Sequence, residues 1–223
     1  GYRHNLFASN LRRNKTNTIG VIVPRLNSYF MSSVIAGIEK VVNEAGYNLV
    51  NSQSLESEKK EMVSIRTMFN SRVDGLLVSL AYDTQDESHF KIILDKNIPL
   101  IFFDRVFEHP LCTSVIIDNY AAGYAMTEHL ISQGRKRIVH ITANLKRNVY
   151  AERLRGYKQA LADHDIPYDE KLIFVNNLGE AACVEAVRSL LQMNPLPDGI
   201  FSSNDSSAVV CIRELKSAGI RIP

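Results

Sequence analysis

Tryptophan is absent from these 223 residues, and cysteine is nearly so, with only Cys112, Cys183 and Cys211. The three stand far apart without Cys-x-x-Cys spacing, which argues against a disulfide framework and a zinc knuckle and suits a reducing compartment. No apolar run approaches the ~18 residues of a membrane span. Nor does a basic leader followed by an apolar stretch open the sequence, so a cytoplasmic location is expected. The nucleophile elbow GxSxG, the phosphate loop GxxxxGK, the dinucleotide motif GxGxxG and the zinc motif HExxH are all missing. Six histidines (His4, His89, His109, His129, His140 and His164) lack ligand spacing. Nothing therefore argues for turnover, and no catalytic residue, metal or cofactor is expected.

What is present is ordinary for a globular chain: 45% hydrophobic and 22% charged residues exclude wholesale disorder. Lys and Arg number 26 against 24 Asp and Glu, yet the distribution is uneven. Arg3, Arg12, Arg13 and Lys15 precede the first acid, Glu39, and leave the remainder slightly acidic. A basic arm before a near-neutral body fits either a solvated tail or a nucleic-acid contact. On charge alone the tail is the better reading, because phosphate attraction carries no sequence information.

Short runs rich in Val, Ile and Leu recur at 18–23, 47–52, 75–79, 99–104, 114–118, 137–142, 172–175 and 199–203, and they read as buried parallel strands. Helical patterns lie between most of them. Val34, Ile38, Val41, Val42 and Ala45 fall on one face at 3.6 residues per turn, and the helix after 199–203 ends at Gly219 as a C-cap. There is also an internal echo. Val73-Asp74-Gly75 and Pro197-Asp198-Gly199 each feed an apolar strand ending in serine, which favours two similar α/β halves over one sheet. The expected fold class is α/β, two parallel doubly wound lobes with a ligand cleft between them, and such sheets bind ligands beyond the carboxyl ends of their strands.

The residues at those ends are therefore the candidates. Tyr29 and Phe30 follow strand 18–23 and could stack on a ligand ring or anchor the helix; at least one is expected to face the cleft. Ser79 ends strand 75–79. Asp104 ends strand 99–104, where a carboxylate can accept two sugar hydroxyls. Its neighbour Arg105 is open between a ligand contact and a surface pair. Arg147, Arg153 and Arg155 follow strand 137–142. Arg153 is preferred, because a fork of donors opposite Asp104 would clamp a polyol or a purine. Asn204 and Asp205 end strand 199–203 and are read as one helix cap and one ligand contact.

These residues resemble the LacI/GalR family of bacterial transcription regulators from end to end. The likeness is carried by Gly1-Tyr2-Arg3, Asn5, Ala8, Leu11 and Thr16, then by Ile19-Gly20, Pro24, Tyr29-Phe30, Gly37-Ile38-Glu39 and Gly46-Tyr47. It continues through Val73-Asp74-Gly75, Pro99, Phe103-Asp104-Arg105, Asp118-Asn119, His129-Leu130-Ile131 and Gly134. Arg153, Gly156-Tyr157, Asn204-Asp205 and Gly219 to Pro223 complete it. The resemblance implies a sensing core like type I periplasmic binding proteins, preceded by a helix-turn-helix head and a hinge helix. It implies domains of 1–16 (end of head and hinge), 17–117 (first lobe) and 118–223 (second lobe). The recognition helix is expected before Gly1, and further strands with a last ligand carboxylate after Pro223.

The same resemblance assigns DNA contacts to Asn5, Ala8, Leu11, Arg12 and Arg13, with Leu11 wedging into the minor groove. Ser9 stands where many members have arginine. It assigns effector contacts to Tyr29, Phe30, Ser79, Asp104, Arg153 and Asn204. Leu178 occupies the place of an aromatic that covers the ligand in several members, which favours a sugar or sugar derivative over a stacked purine. The implied function is that of a homodimeric repressor whose lobes close on a small effector and reposition the hinge helices. A periplasmic solute-binding protein of the same fold is the alternative, and an unrecognised α/β enzyme a third.

Overall fold

The eight apolar runs become eight strands among the described residues, which are 15–222 of this computed structural model. They fall into two compact units that divide between Ile116 and Ile117. In the first, β1 (Thr18–Val23), β2 (Asn48–Gln53), β3 (Gly75–Val78), β4 (Leu100–Phe103) and β5 (Thr113–Val115) form one parallel sheet in the order β2-β1-β3-β4-β5. In the second, β6 (Ile138–Thr142), β7 (Ile173–Val175) and β8 (Gly199–Ser202) pair in parallel as β7-β6-β8.

The central parallel strands are covered on both faces, as alternation along β1 shows, whereas β2 and β5, at the two edges of the sheet, are largely exposed and not buried as their runs suggest. Ile22 joins Ile65 and Met68 of α2 (Glu58–Asn70), Ile93 of the short α3 (Lys91–Leu94), and Phe90 of the single 3-10 turn before it. Val21 and Val23 pack on the other face against Met31 and Ile35 of α1 (Tyr29–Glu44). Each such side chain, fully buried, contributes roughly 1.5–3 kcal/mol relative to exposure. The predicted apolar stripe of α1 is rotated by part of a turn. Met31 and Ile35 are its buried residues, and Val41 is 64% exposed. Val34 and Ile38 pack, half-buried, against the same cluster, and with Val41, Val42, Ile19, Gly37 and Leu77 they line an open apolar groove.

The echo between the halves is one device used twice. The Asp74 carboxylate accepts the backbone N–H groups of Thr16 and Asn17 at 3.1 and 2.7 Å, and its own N–H donates to Thr18 O at the entry of β1. The Asp198 carboxylate accepts those of Lys136 and Arg137, with 2.8 Å to the latter, and its N–H donates to Arg137 O at the entry of β6. Each acid thus ties the start of its own strand to the start of the neighbouring strand.

In the second unit, α4 (Asn119–Ser132) and α5 (Asn148–Asp163) pack on each other, and Leu154, Tyr157 and Leu161 of α5 reach Ile138 and Phe201. Their crossing is unusually close. A Cβ on Gly123 would lie 2.3 Å from Arg153 O, and one on Gly156 would lie 2.2 Å from Tyr120 O. Backbone meets backbone there, so only glycine fits. The other helix pair, α6 (Glu180–Leu191) and α7 (Asp205–Ser217), buries Cys183 and Cys211 as free thiols that burial pushes to higher pKa, Cys211 to about 11. Gly219 follows α7 at φ +79°, the left-handed conformation expected of a residue that terminates a helix.

Gly123→Ala is expected to destabilise the second unit by about 3 kcal/mol, because the obstacle is main chain and cannot rotate away. Urea denaturation checks this. A loss below about 1 kcal/mol would mean that the helices separate without consequence.

Candidate functional site

Both sheets present polar side chains just beyond the carboxyl ends of their strands. In the first unit Asp104 follows β4 in the left-handed conformation at φ +59°, a region that aspartate tolerates better than most residues. Its main chain is held by donation to Val115 O at 3.1 Å. Ser79, fully buried after β3, directs its hydroxyl to Asp104 Oδ2 at 3.3 Å. The structure therefore brings these two predicted residues together. Tyr29 and Phe30 open α1 and are 89% and 53% exposed, so neither is a core anchor in this unit.

Arg105 has a partner that sequence reasoning missed. Its guanidinium donates to Glu56 Oε2 at 2.7 Å and more weakly to Oε1, while Glu56 also accepts Tyr82 N–H at 3.0 Å. Glu56 and its neighbour Leu55 both have positive φ, a tight loop after β2 that turns the carboxylate toward Arg105. The pairing is bidentate and partly shielded, the geometry in which Arg recognises carboxylates best. The surface pair weighed for Arg105 with Asp104 is thus made with Glu56, 49 residues away.

In the second unit Arg153 lies on α5 with Nε donating to Asn119 Oδ1 at 3.0 Å and one terminal nitrogen donating to Ser203 O at 2.6 Å. Asn119 begins α4 behind the cap made by Asp118, whose carboxylate accepts Ala121 N–H. Ser203, just past β8, donates its hydroxyl to Thr142 at the end of β6. Arg153 is therefore held at the carboxyl end of the sheet by three elements. Arg155, the rejected neighbour, sits over the Tyr120 ring at 4.6 Å and pairs with Glu152. Arg147 is 2% exposed and precedes α5, and no local pattern distinguished it from the other two arginines.

Asn204 caps α7, accepting Ser207 N–H through Oδ1 at 2.8 Å, and Asp205 is the first helical residue. The cap uses only the carbonyl oxygen of the Asn204 amide. Leu178 follows β7 at φ +55° and is nearly buried. Asn5, Ala8, Leu11, Arg12 and Arg13 lie outside the described residues.

His140, in the middle of β6, is fully buried between Phe201 and Tyr157, with ring centroids 4.2 and 5.4 Å away. Nδ1 meets Phe201 O at 3.1 Å, whereas Nε2 has no partner. Burial lowers its pKa to about 4, opposed in part by the Phe201 carbonyl and reinforced by the Arg153 charge.

The sequence profile described as periplasmic binding proteins and sugar binding domain of LacI family matches residues 16–223. The chain belongs to this family. Catabolite control protein A of Priestia megaterium is 28% identical over 224 residues, covering 100% of this chain and 67% of that protein. The HTH-type transcriptional repressor PurR of Vibrio atlanticus is 31% identical over 222 residues, covering 100% and 66% respectively. The chain thus spans about two thirds of the length of these curated relatives. Among solved structures, transcription regulator CcpA of Lactococcus lactis superposes with a TM-score of 0.84 at 26% identity, over 92% of this chain and 74% of that one. The fold is accordingly the type I periplasmic-binding-protein-like α/β architecture of LacI-family regulator cores.

The unfolded His140 imidazole takes up its proton near pH 6.5 and the folded one near 4. Stability from this residue is therefore complete above pH 6.5 and lost as pH falls toward 4, by about 3 kcal/mol. Urea denaturation of wild type and His140→Phe at pH 7 and pH 4 should show the stability difference shifting by that amount in favour of the variant. A constant difference would mean that the buried imidazole ionises as easily folded as unfolded.

Proposed function

We propose that the chain is the effector-sensing part of a ligand-responsive transcription repressor, with residues 17–117 and 118–223 as its two lobes. The observation that carries this reading is the Ser79–Asp104 pair, a carboxylate held in left-handed backbone at the carboxyl end of a parallel sheet. Open α/β sheets take ligands at that end, and a carboxylate with a hydroxyl neighbour suits a polyol. Arg153, anchored by Asn119 and Ser203, is the second contact and supplies the donors that Asp104 lacks. The reading assigns further effector contacts to Tyr29, Phe30, Arg105, Leu178, Asn204 and Asp205. An effector of sugar or sugar-derivative class follows from this mixture of carboxylate and guanidinium without a flat aromatic at Leu178.

Within this reading the protein is cytoplasmic and homodimeric, and lobe closure on the effector moves a hinge helix that carries Asn5, Ala8, Leu11, Arg12 and Arg13 against operator DNA. Support comes from the likeness to proteins named as repressors and from the basic arm of residues 1–16. Among the described residues, no helix is long and apolar enough to cross a membrane. The alternative, a periplasmic solute-binding protein, shares the family description and differs in having no operator to bind.

Isothermal titration against a panel of sugars, sugar phosphates and nucleobases tests the site. One compound class should bind saturably, and Asp104→Asn and Arg153→Lys should each weaken it about ten- to hundredfold. Asparagine tolerates the left-handed conformation, so the first substitution removes charge while keeping the backbone. Unchanged affinity in both variants, or no ligand in any class, would refute the assignment.

A further inference from the structure

A second polar constellation lies at the start of α2, apart from the residues discussed above. The ligand-capable atoms of Glu58, Asp86 and His89 all lie within 4.8 Å of one another. They come from three places: the first residue of α2, the loop after β3, and the 3-10 turn Ser88–Phe90. Their juxtaposition is thus a product of tertiary folding, and no histidine spacing in the sequence announces it.

Backbone groups position both carboxylates. Gln85 N–H donates to Glu58 Oε1 at 3.2 Å, and Ser88 N–H donates to Asp86 Oδ1 at 2.8 Å. Each carboxylate keeps a second oxygen outside these bonds.

The histidine supplies the independent observation. The His89 side chain is only 4% exposed, and Nε2 lies 2.8 Å from Oε1 of Glu61, a carboxylate with no exposure at all. Glu61 is itself fixed by Ala81 N–H at 2.7 Å and the Thr84 hydroxyl at 3.0 Å. The imidazole also lies against Phe90, centroids 4.3 Å apart. Among the described residues nothing hydrogen-bonds its other nitrogen. A buried carboxylate that binds one ring nitrogen and leaves the other for a ligand is the outer-shell arrangement of metal-binding histidines.

We propose that Glu58, Asp86 and His89 form a binding site for a divalent transition-metal ion of the zinc type, with Glu61 orienting the imidazole from behind. One imidazole and two carboxylates, with water completing four-coordination, suit zinc better than calcium or magnesium, which prefer all-oxygen sets. The acidic surroundings favour a cation: residues 83–87 carry three acids and no base. A bound ion would fasten the loop after β3 to the start of α2. The proposal does not depend on the effector assignment.

The test is titration of the purified, chelator-treated chain with zinc sulfate, read by isothermal calorimetry and by Tm. One zinc ion per chain and a raised Tm are expected. Glu58→Gln and Asp86→Asn, both near-isosteric, should leave the metal-free Tm unchanged and weaken zinc at least tenfold. Cys112→Ser controls for the other nearby donor pair, Cys112 Sγ and His109 Nδ1 at 3.7 Å, and should leave binding intact. Absence of saturable binding, equal zinc affinity in the two carboxylate variants, or loss of binding in Cys112→Ser would each overturn the proposal.

Discussion

Gly123 and Gly156 let α4 and α5 approach until main chain touches main chain, and Arg153 lies at that contact. The atom that Gly123 faces is the carbonyl of Arg153 itself. Any side chain larger than hydrogen would push α5 away and carry the guanidinium from Asn119 Oδ1 and Ser203 O. A packing constraint thereby becomes a chemical one: the cation is presented where it is because two helices cannot be separated by even a methyl group. Side chains positioned by such rigid crossings lose little entropy when a ligand arrives.

Carboxylates fix strand ends in both units. Asp74 joins the starts of β1 and β3, and Asp198 does so for β6 and β8, which fixes strand ends without enlarging the core. At the opposite end, Glu56 and Glu61 collect donors from the loops: Arg105 and Tyr82 N–H for the former, Ala81 N–H, Thr84 and His89 for the latter. Buried or half-buried carboxylates persist only with such full sets of partners. They rigidify the segments on either side of Ser79 and Asp104, so that the two polar groups meet.

The central strands were legible because burial on both faces favours Val, Ile and Leu, as in Gly75–Val78 and Leu100–Phe103, whereas the edge strands β2 and β5 are recognised by position and not by burial. The duplicated Asp-Gly was visible, but as turn chemistry; its action on backbone 58 and 62 residues away is tertiary and leaves no local pattern. The stripe on α1 was legible only in part: Val34 and Ile38 do pack on the core, but its centre lies at Met31 and Ile35, and Val41, which fits the same helical spacing, is exposed. Strand-end logic did select Ser79, Asp104 and Arg153, while it passed over Glu56, Asn119 and Ser203, which are noticed only as partners. Glu58, Asp86 and His89 come together across 28 or more residues from α2, which no spacing rule anticipates.

Membership of the LacI-related family and the parallel α/β units support the proposed reading of the chain as a sensor. A sensor that regulates must bind its effector and its operator with linked affinities, since a ligand with equal preference for both conformations shifts nothing. The most direct measurement is operator affinity of the full-length protein with and without saturating effector, paired with effector affinity with and without operator. Each partner should change the affinity of the other by the same factor, about fivefold or more. Effector binding that leaves operator affinity untouched would contradict it.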